Sequence, residues 1–234
     1  MSAATAEQIR LRGEVRSRLS RARRVVALTG PGLSPGGGEP DLGADPPPFF
    51  EDPVAVWQWY GRQRERQAGM RPGAAHVALA TLESRAAAFT LASECIDGLH
   101  QLAGSRRVLE LRGNLWVVRC TRCGTRSVNR EVPIPIPPSC PICTGLVRPG
   151  ILRQGELIPQ EVLVRCFEAL STCEMFIVAG TSSLTHPASL FAGVARKAGA
   201  YLVEIAPEPP ASRVPVDALL IGPAEEILPQ IVSP

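Results

Sequence analysis

Apolar residues fall into short unbroken runs separated by amphipathic stretches, and the two alternate along most of the chain. Val25 to Thr29, Met175 to Ala179, Tyr201 to Ile205 and Val216 to Ile221 are runs of strand length, the pattern of parallel strands buried on both faces. Phe89 and Leu91 lead a further strand into Ser93-Glu94-Cys95-Ile96-Asp97-Gly98, which places a carboxylate and a thiol at a strand end; Val108 to Gly113 reads as another strand. Helical spacing predicts a first helix over Thr5 to Arg24 with Ile9, Val15 and Leu19 as its apolar positions, then helices over Asp52 to Gln67, from Ala74 onward, and over Gln160 to Ser171, Ala188 to Ala198 and Ala224 to Ile231. Such alternation predicts an α/β fold with a mostly parallel, Rossmann-like sheet.

Two of the strands end in turns of small residues, Gly30-Pro31-Gly32 and Gly180-Thr181-Ser182-Ser183. Turns of this kind at the carboxyl ends of parallel strands let backbone N–H groups approach a phosphate. The first is not a complete dinucleotide fingerprint, because Pro35 stands where the third glycine belongs. Ser34 to Pro48, with Gly36-Gly37-Gly38 and Pro46-Pro47-Pro48, is expected to be a mobile loop lying over a ligand.

Cys120-x-x-Cys123 and Cys140-x-x-Cys143, sixteen residues apart, have the spacing of a zinc ribbon. Four thiolates leave no open coordination position, so the zinc is expected to hold a small inserted module together rather than to activate water. The segment between the pairs carries Pro133, Pro135, Pro137 and Pro138 and little core of its own, which makes its folding depend on the metal. The expected division is 119–148 for the zinc module and 1–118 with 149–234 for the larger domain. Cys166 and Cys173 read as buried free thiols.

Composition narrows the picture modestly. At 234 residues with 45% apolar and 5% aromatic, the chain can bury a core of aliphatic side chains. A net charge of +3 implies no nucleic-acid field, and no run approaches the roughly 20 apolar residues of a membrane span. The N-terminus has no signal-peptide apolar core, so a cytoplasmic protein is expected.

Taken in order, these segments resemble the sirtuin family of NAD-dependent protein deacylases. Gly30-Pro31-Gly32-Leu33-Ser34 with Gly38, Pro40 and Asp41 is similar to the family's glycine-rich cofactor loop. Ile96-Asp97-Gly98-Leu99-His100 with Ala103-Gly104-Ser105, Arg148-Pro149 with Gly155-Glu156 and Pro159, Gly180-Thr181-Ser182 with Pro187-Ala188, and Glu204-Ile205 also have counterparts there. The resemblance implies a sirtuin fold, with NAD and zinc as cofactors. It implies cofactor contacts at Gly30, Gly32, Ser34, Asp41, Asp97, Gly180, Thr181 and Ser182, zinc ligands at the four paired cysteines, and NAD or an ADP-ribose compound and an acylated protein as partners.

It also exposes departures at the reacting end of the site. The family's LHG segment, whose histidine is the general base on a ribose hydroxyl, reads Leu111-Arg112-Gly113, and arginine stays protonated. Cys95 replaces the asparagine before Ile96-Asp97, Leu42 and Gly43 replace a loop phenylalanine and arginine, Gln154 replaces the phenylalanine of the acyl-lysine tunnel, and Ala206 replaces a ribose-contacting asparagine. A missing general base costs on the order of 10²- to 10⁴-fold. The catalytic candidates are thus Asp97, Arg112 and Cys95, and the expected activity is a weak or absent deacylation; a pseudoenzyme that binds NAD or ADP-ribose and an ADP-ribosyltransferase are the alternatives. His76, His100 and His186 are read as structural rather than as substitute bases, Arg62, Arg64 and Arg66 as helix-surface arginines, and Tyr60 gives no prediction of succinyl preference.

Overall fold

The computed structural model describes residues 3–34, 46–152, 156–181, 186–209 and 215–233. In chain order the strands are β1 (Arg24–Thr29), β2 (Ala88–Ser93), β3 (Val108–Glu110), β4 (Gly113–Cys120), β5 (Arg126–Val128), β6 (Val147–Ile151), β7 (Met175–Ala179), β8 (Tyr201–Ala206) and β9 (Ala218–Ile221). The α-helices are α1 (Ala3–Leu19), α2 (Pro53–Gln67), α3 (Ala74–Arg85), α4 (Leu99–Leu102), α5 (Gln160–Leu170), α6 (Ala188–Lys197) and α7 (Ala224–Val232).

The unbroken apolar runs are the middle of a six-stranded sheet, ordered β3-β2-β1-β7-β8-β9 and parallel throughout. Their side chains divide between two cores by alternation. Val25 and Ala27 of β1, with Met175 and Ile177 of β7, face Val15, Leu79 and Ile227 of α1, α3 and α7. Val26, Leu28, Phe176 and Val178 face Cys166, Leu170 and Phe191 of α5 and α6. A strand covered on both faces has no polar positions to spare, which is why these segments read as continuous runs. The chain winds outward from β1 to β3, then returns across β1 to start β7, so the order reverses between β1 and β7. Ligands of open α/β sheets bind at the carboxyl ends beside such a reversal.

Two predicted elements are shorter than their patterns suggest. The first helix stops at Leu19, not Arg24, because Arg24 already pairs with Ala88 in the sheet. Its buried stripe is Leu11, Val15 and Leu19 at four-residue spacing, while Ile9 is exposed. The run Val108 to Gly113 is two strands rather than one. β3 closes at Glu110 in the large sheet, and Gly113, at φ 79°, opens β4 in another; a Cβ there would overlap the Gly150 carbonyl.

That second sheet is antiparallel, ordered β5-β4-β6, and ends in the paired cysteines. It shares its core with α2: Val56, Trp57 and Tyr60 pack with Trp116, Val118, Val147 and Ile151. Asp52 caps α2 by accepting the Ala55 N–H at 2.9 Å. Arg64 is not a surface arginine. It is buried, its guanidinium lies 5.5 Å from the Trp57 ring and 5.6 Å from Trp116, and it donates to the Leu115 carbonyl and to Asn129 Oδ1. Periodicity missed it because a buried cation held by two indoles and a strand carbonyl reads the same as a solvated one. Desolvation lowers its pKa to about 10, so it stays charged at neutral pH.

Candidate active site and metal centre

At the reversal point, the turns after β1 and β7 are in direct contact. Gly30 N–H donates to Ala179 O at 3.1 Å and Gly32 N–H to Gly180 O at 2.8 Å. A Cβ on Gly32 would meet Gly180 O at 2.9 Å, and Gly180 has φ 70° with Leu33 N 2.5 Å from where its Cβ would be. The glycines are there so that one turn can seat on the other. Leu33 N–H donates to Gly30 O and Ser34 N–H to Pro31 O, so each N–H that Gly30 to Ser34 possess is used within the two turns. Ser34 Oγ donates to Asp97 Oδ2 at 2.5 Å, and a carboxylate that accepts one hydroxyl proton is the kind of acceptor a ribose hydroxyl meets. With a second lone pair on each carboxylate oxygen, Asp97 can still accept from a ribose hydroxyl, so the pair fits a nucleotide ribose. Thr181 is half-buried beside Gly30; Asp41, Ser182 and most of the Ser34–Pro48 loop lie outside the described residues.

Asp97 is buried and held from three directions. Leu99 N–H donates to Oδ1 at 2.9 Å, Trp116 Nε1 donates to the Asp97 carbonyl at 2.7 Å, and Leu115 N–H donates to Ile96 O at 2.8 Å. The small sheet thus fixes the loop after β2. Gly98, at φ 72°, makes the turn against Trp116. Cys95 is 6% exposed, a poor position for a nucleophile. Arg112 is half-buried in the link from β3 to β4, where its carbonyl accepts the Leu152 N–H at 2.9 Å. The position after β2 also brings in Glu94, to which sequence pattern assigns no role; it is buried, with Oε2 3.0 Å from where a Gly30 Cβ would lie.

The three histidines differ in their surroundings. His100 Nε2 is 2.9 Å from Thr29 Oγ1, and burial, followed by the nearby His76, pushes its pKa down to about 3. His76 Nδ1 accepts the Gly73 N–H at 3.2 Å, so it is neutral, and its 3.8 Å approach to Glu225 is not a salt bridge. Glu225 instead accepts the Ala75 N–H in the first turn of α3. His186 is exposed and precedes Pro187.

The four paired cysteines come together, their sulfurs all within 4.8 Å of one another. Cys120 and Cys143 sulfurs are 3.5 Å apart and Cys123 and Cys140 sulfurs 3.7 Å, close to the roughly 3.8 Å that tetrahedral Zn–S bonds of about 2.3 Å imply. Cys120 Sγ accepts the N–H groups of Arg122 and Cys123, which favours the thiolate, and hydrogen bonding with Thr125 lowers Cys123 to about 6; Cys143, despite the Gly145 N–H, is raised to about 11 by burial and the neighbouring sulfurs, a repulsion that a metal cation would relieve. The cluster fits zinc, with every position filled by protein. Cys166 and Cys173 are buried elsewhere, and desolvation raises both thiols to about 11.

Comparison with known proteins agrees with this arrangement. The Sir2 family model matches residues 40–187. The NAD-dependent protein deacylase of Aquifex aeolicus is 39% identical over 199 residues, covering 79% of this chain and 83% of that one. NAD-dependent protein deacylase 1 of Pseudomonas aeruginosa is 38% identical over 237 residues, covering 92% and 95%. Among solved structures, a Sir2 homologue in complex with NAD superposes with a TM-score of 0.81 at 32% identity, over 94% of this chain and 92% of that one. A Sir2 protein bound to a myristoylated histone peptide gives 0.73 at 32% identity, over 95% and 94%. No helix among the described residues is long and apolar enough to cross a membrane.

Proposed function

The chain belongs to the Sir2 family, and from that premise we propose that it binds NAD at the reversal point between β1 and β7 and deacylates lysine weakly or not at all. When bound, NAD would supply a ribose carbon at which an acyl-lysine oxygen could displace nicotinamide. In this chain Ser34 and Asp97 bind and orient the ribose hydroxyls, while Gly30, Gly32, Gly180 and Thr181 shape the wall beside the pyrophosphate. The observation that carries the proposal is Arg112 at the place of the family's basic histidine. An arginine stays protonated at neutral pH and cannot take the ribose proton as the histidine of that segment would. His100 cannot substitute, being buried, neutral and engaged with Thr29. The loss of a base accounts for about 10²- to 10⁴-fold in rate.

The test is calorimetry with NAD and ADP-ribose, followed in the same sample by nicotinamide release with and without an acetyl-lysine peptide. Binding is expected without appreciable release by the native protein, and Arg112→His is expected to raise release by about 10²-fold or more. Rapid peptide-dependent release by the native protein would contradict the reading. Label transfer from NAD to protein would point to ADP-ribosyl transfer instead.

A further inference from the structure

A second charged site lies between the zinc sheet and the large sheet. Arg119 of β4 pairs directly with Arg126 of β5 on one side and Arg148 of β6 on the other. Directly paired residues of an antiparallel sheet project from the same face with Cβ atoms roughly 5 Å apart, and like charges placed this way destabilise the pairing. Three guanidiniums in one row therefore weaken the small sheet unless something anionic meets them. Among the described residues only Arg148 of the three has a carboxylate, donating from Nη2 to both Glu156 oxygens at 2.8 and 2.9 Å. Glu110, the other acid at this place, accepts from Gln101 and Asn114. Among the described residues Arg119 and Arg126 have no ion pair or side-chain hydrogen bond, and neither has Arg165.

These arginines line a common cavity of about 200 Å³, to which β3 and the first turn of α5 contribute Val108, Pro159 and Val162. Arg165 reaches it from α5, so the cations come from both sheets' sides of the junction. None of the described residues assigned above to NAD lines this cavity. A short phosphate chain fits within it. Guanidinium forks match phosphate oxygens bidentately, and several forks around one cavity select for multivalent anions.

We propose that this cavity is a binding site for a small phosphate-bearing anion, held by Arg119, Arg126 and Arg165 with Arg148 at its inner edge. The anion neutralises the arginine row and ties the zinc sheet to α5, so its binding stabilises the junction.

The experiment is calorimetric titration of the zinc-loaded full chain with inorganic tripolyphosphate at physiological salt, with ADP-ribose saturating the nucleotide site and zinc content followed throughout. One site per chain is expected. Arg119→Gln with Arg126→Gln is expected to weaken binding at least tenfold while leaving ADP-ribose affinity unchanged. Without the anion this double variant is expected to melt above the native protein, because the repulsion has been removed. Arg165→Gln, on the helix side, is expected to weaken binding as well and serves if the double variant does not fold. Absence of binding, or equal binding by every variant, would overturn the proposal. So would tighter binding of an acidic hexapeptide than of tripolyphosphate, which would assign the surface to a polypeptide.

Discussion

His100 shows how a buried side chain couples the fold to pH. Its imidazole is 2% exposed, lies 4.8 Å from the His76 ring and has a pKa near 3, against about 6.5 for a solvated histidine. Burial makes the neutral form the native one, so between pH 6.5 and 3 the unfolded chain binds a proton that the folded chain does not. Stability is therefore complete above pH 6.5 and is lost as pH falls through that window. At 1.36 kcal/mol per unit, acidification from pH 7 to 4.5 is expected to remove about 2–3 kcal/mol through this residue. His76 acts in the same direction, since desolvation lowers its pKa too, against the opposing pull of Asp97 and Glu225. Urea unfolding of the native protein and of His100→Gln at both pH values measures this. The variant is expected to show a smaller acid loss, and parallel curves would assign the sensitivity to other groups.

At the scale of elements, the site depends on two turns that touch. Gly180→Ala places a side chain at positive φ, costing about 1–2 kcal/mol, and drives its Cβ into Leu33 N and Gly30 O, backbone atoms that can yield only by separating the turns. The expected result is more than about 2 kcal/mol of lost stability and weaker NAD binding. Gly193→Ala is the contrast: it lies in α6, its Cβ would meet nothing within 4 Å, and about 0.5–1 kcal/mol of stabilisation is expected. Equal effects in urea unfolding would show that turn contact is unimportant. These turns also mark how far sequence could reach. Val25 to Thr29 and Met175 to Ala179 were legible as strands because burial on both faces leaves a purely apolar run, and the zinc ligands because tetrahedral coordination fixes their spacing. The turn glycines were legible as special positions, but their reason was not. A glycine required by a neighbouring turn and one required by a ligand look alike until the order of strands is known. For the same reason Arg64 passed as a surface residue and the arginine row went unseen, since it exists only in the pairing of β4 with β5 and β6.

For the molecule as a whole, the decisive fact is where its large rings are placed. The chain has three tryptophans, and Trp57, Trp59 and Trp116 all belong to the cluster joining α2 to the zinc sheet. The six-stranded sheet has none. α2 packs on β4 and β6, Trp57 Nε1 donates to Val147 O at 2.8 Å, and Arg64 donates to the Leu115 carbonyl. The helix thus depends on the small sheet, and the small sheet depends on four sulfurs closed around a metal. The large sheet has separate cores on both faces, closed by α1, α3 and α7 on one side and by α5 and α6 on the other. Removing zinc should therefore unfold one part and leave the other, as expected of regions with unequal local stability. With a strong chelator under native conditions, tryptophan emission is expected to shift to the red while most of the far-ultraviolet circular dichroism remains. Cys140→Ser is expected to start in that state. NAD affinity should fall with the emission change, because Asp97 loses Trp116 Nε1 and the loop after β2 loses its anchor on β4. A single transition in which fluorescence and dichroism disappear together would instead mean that the zinc sheet and the large sheet fold as one unit, with the Asp97 loop as the coupling between them.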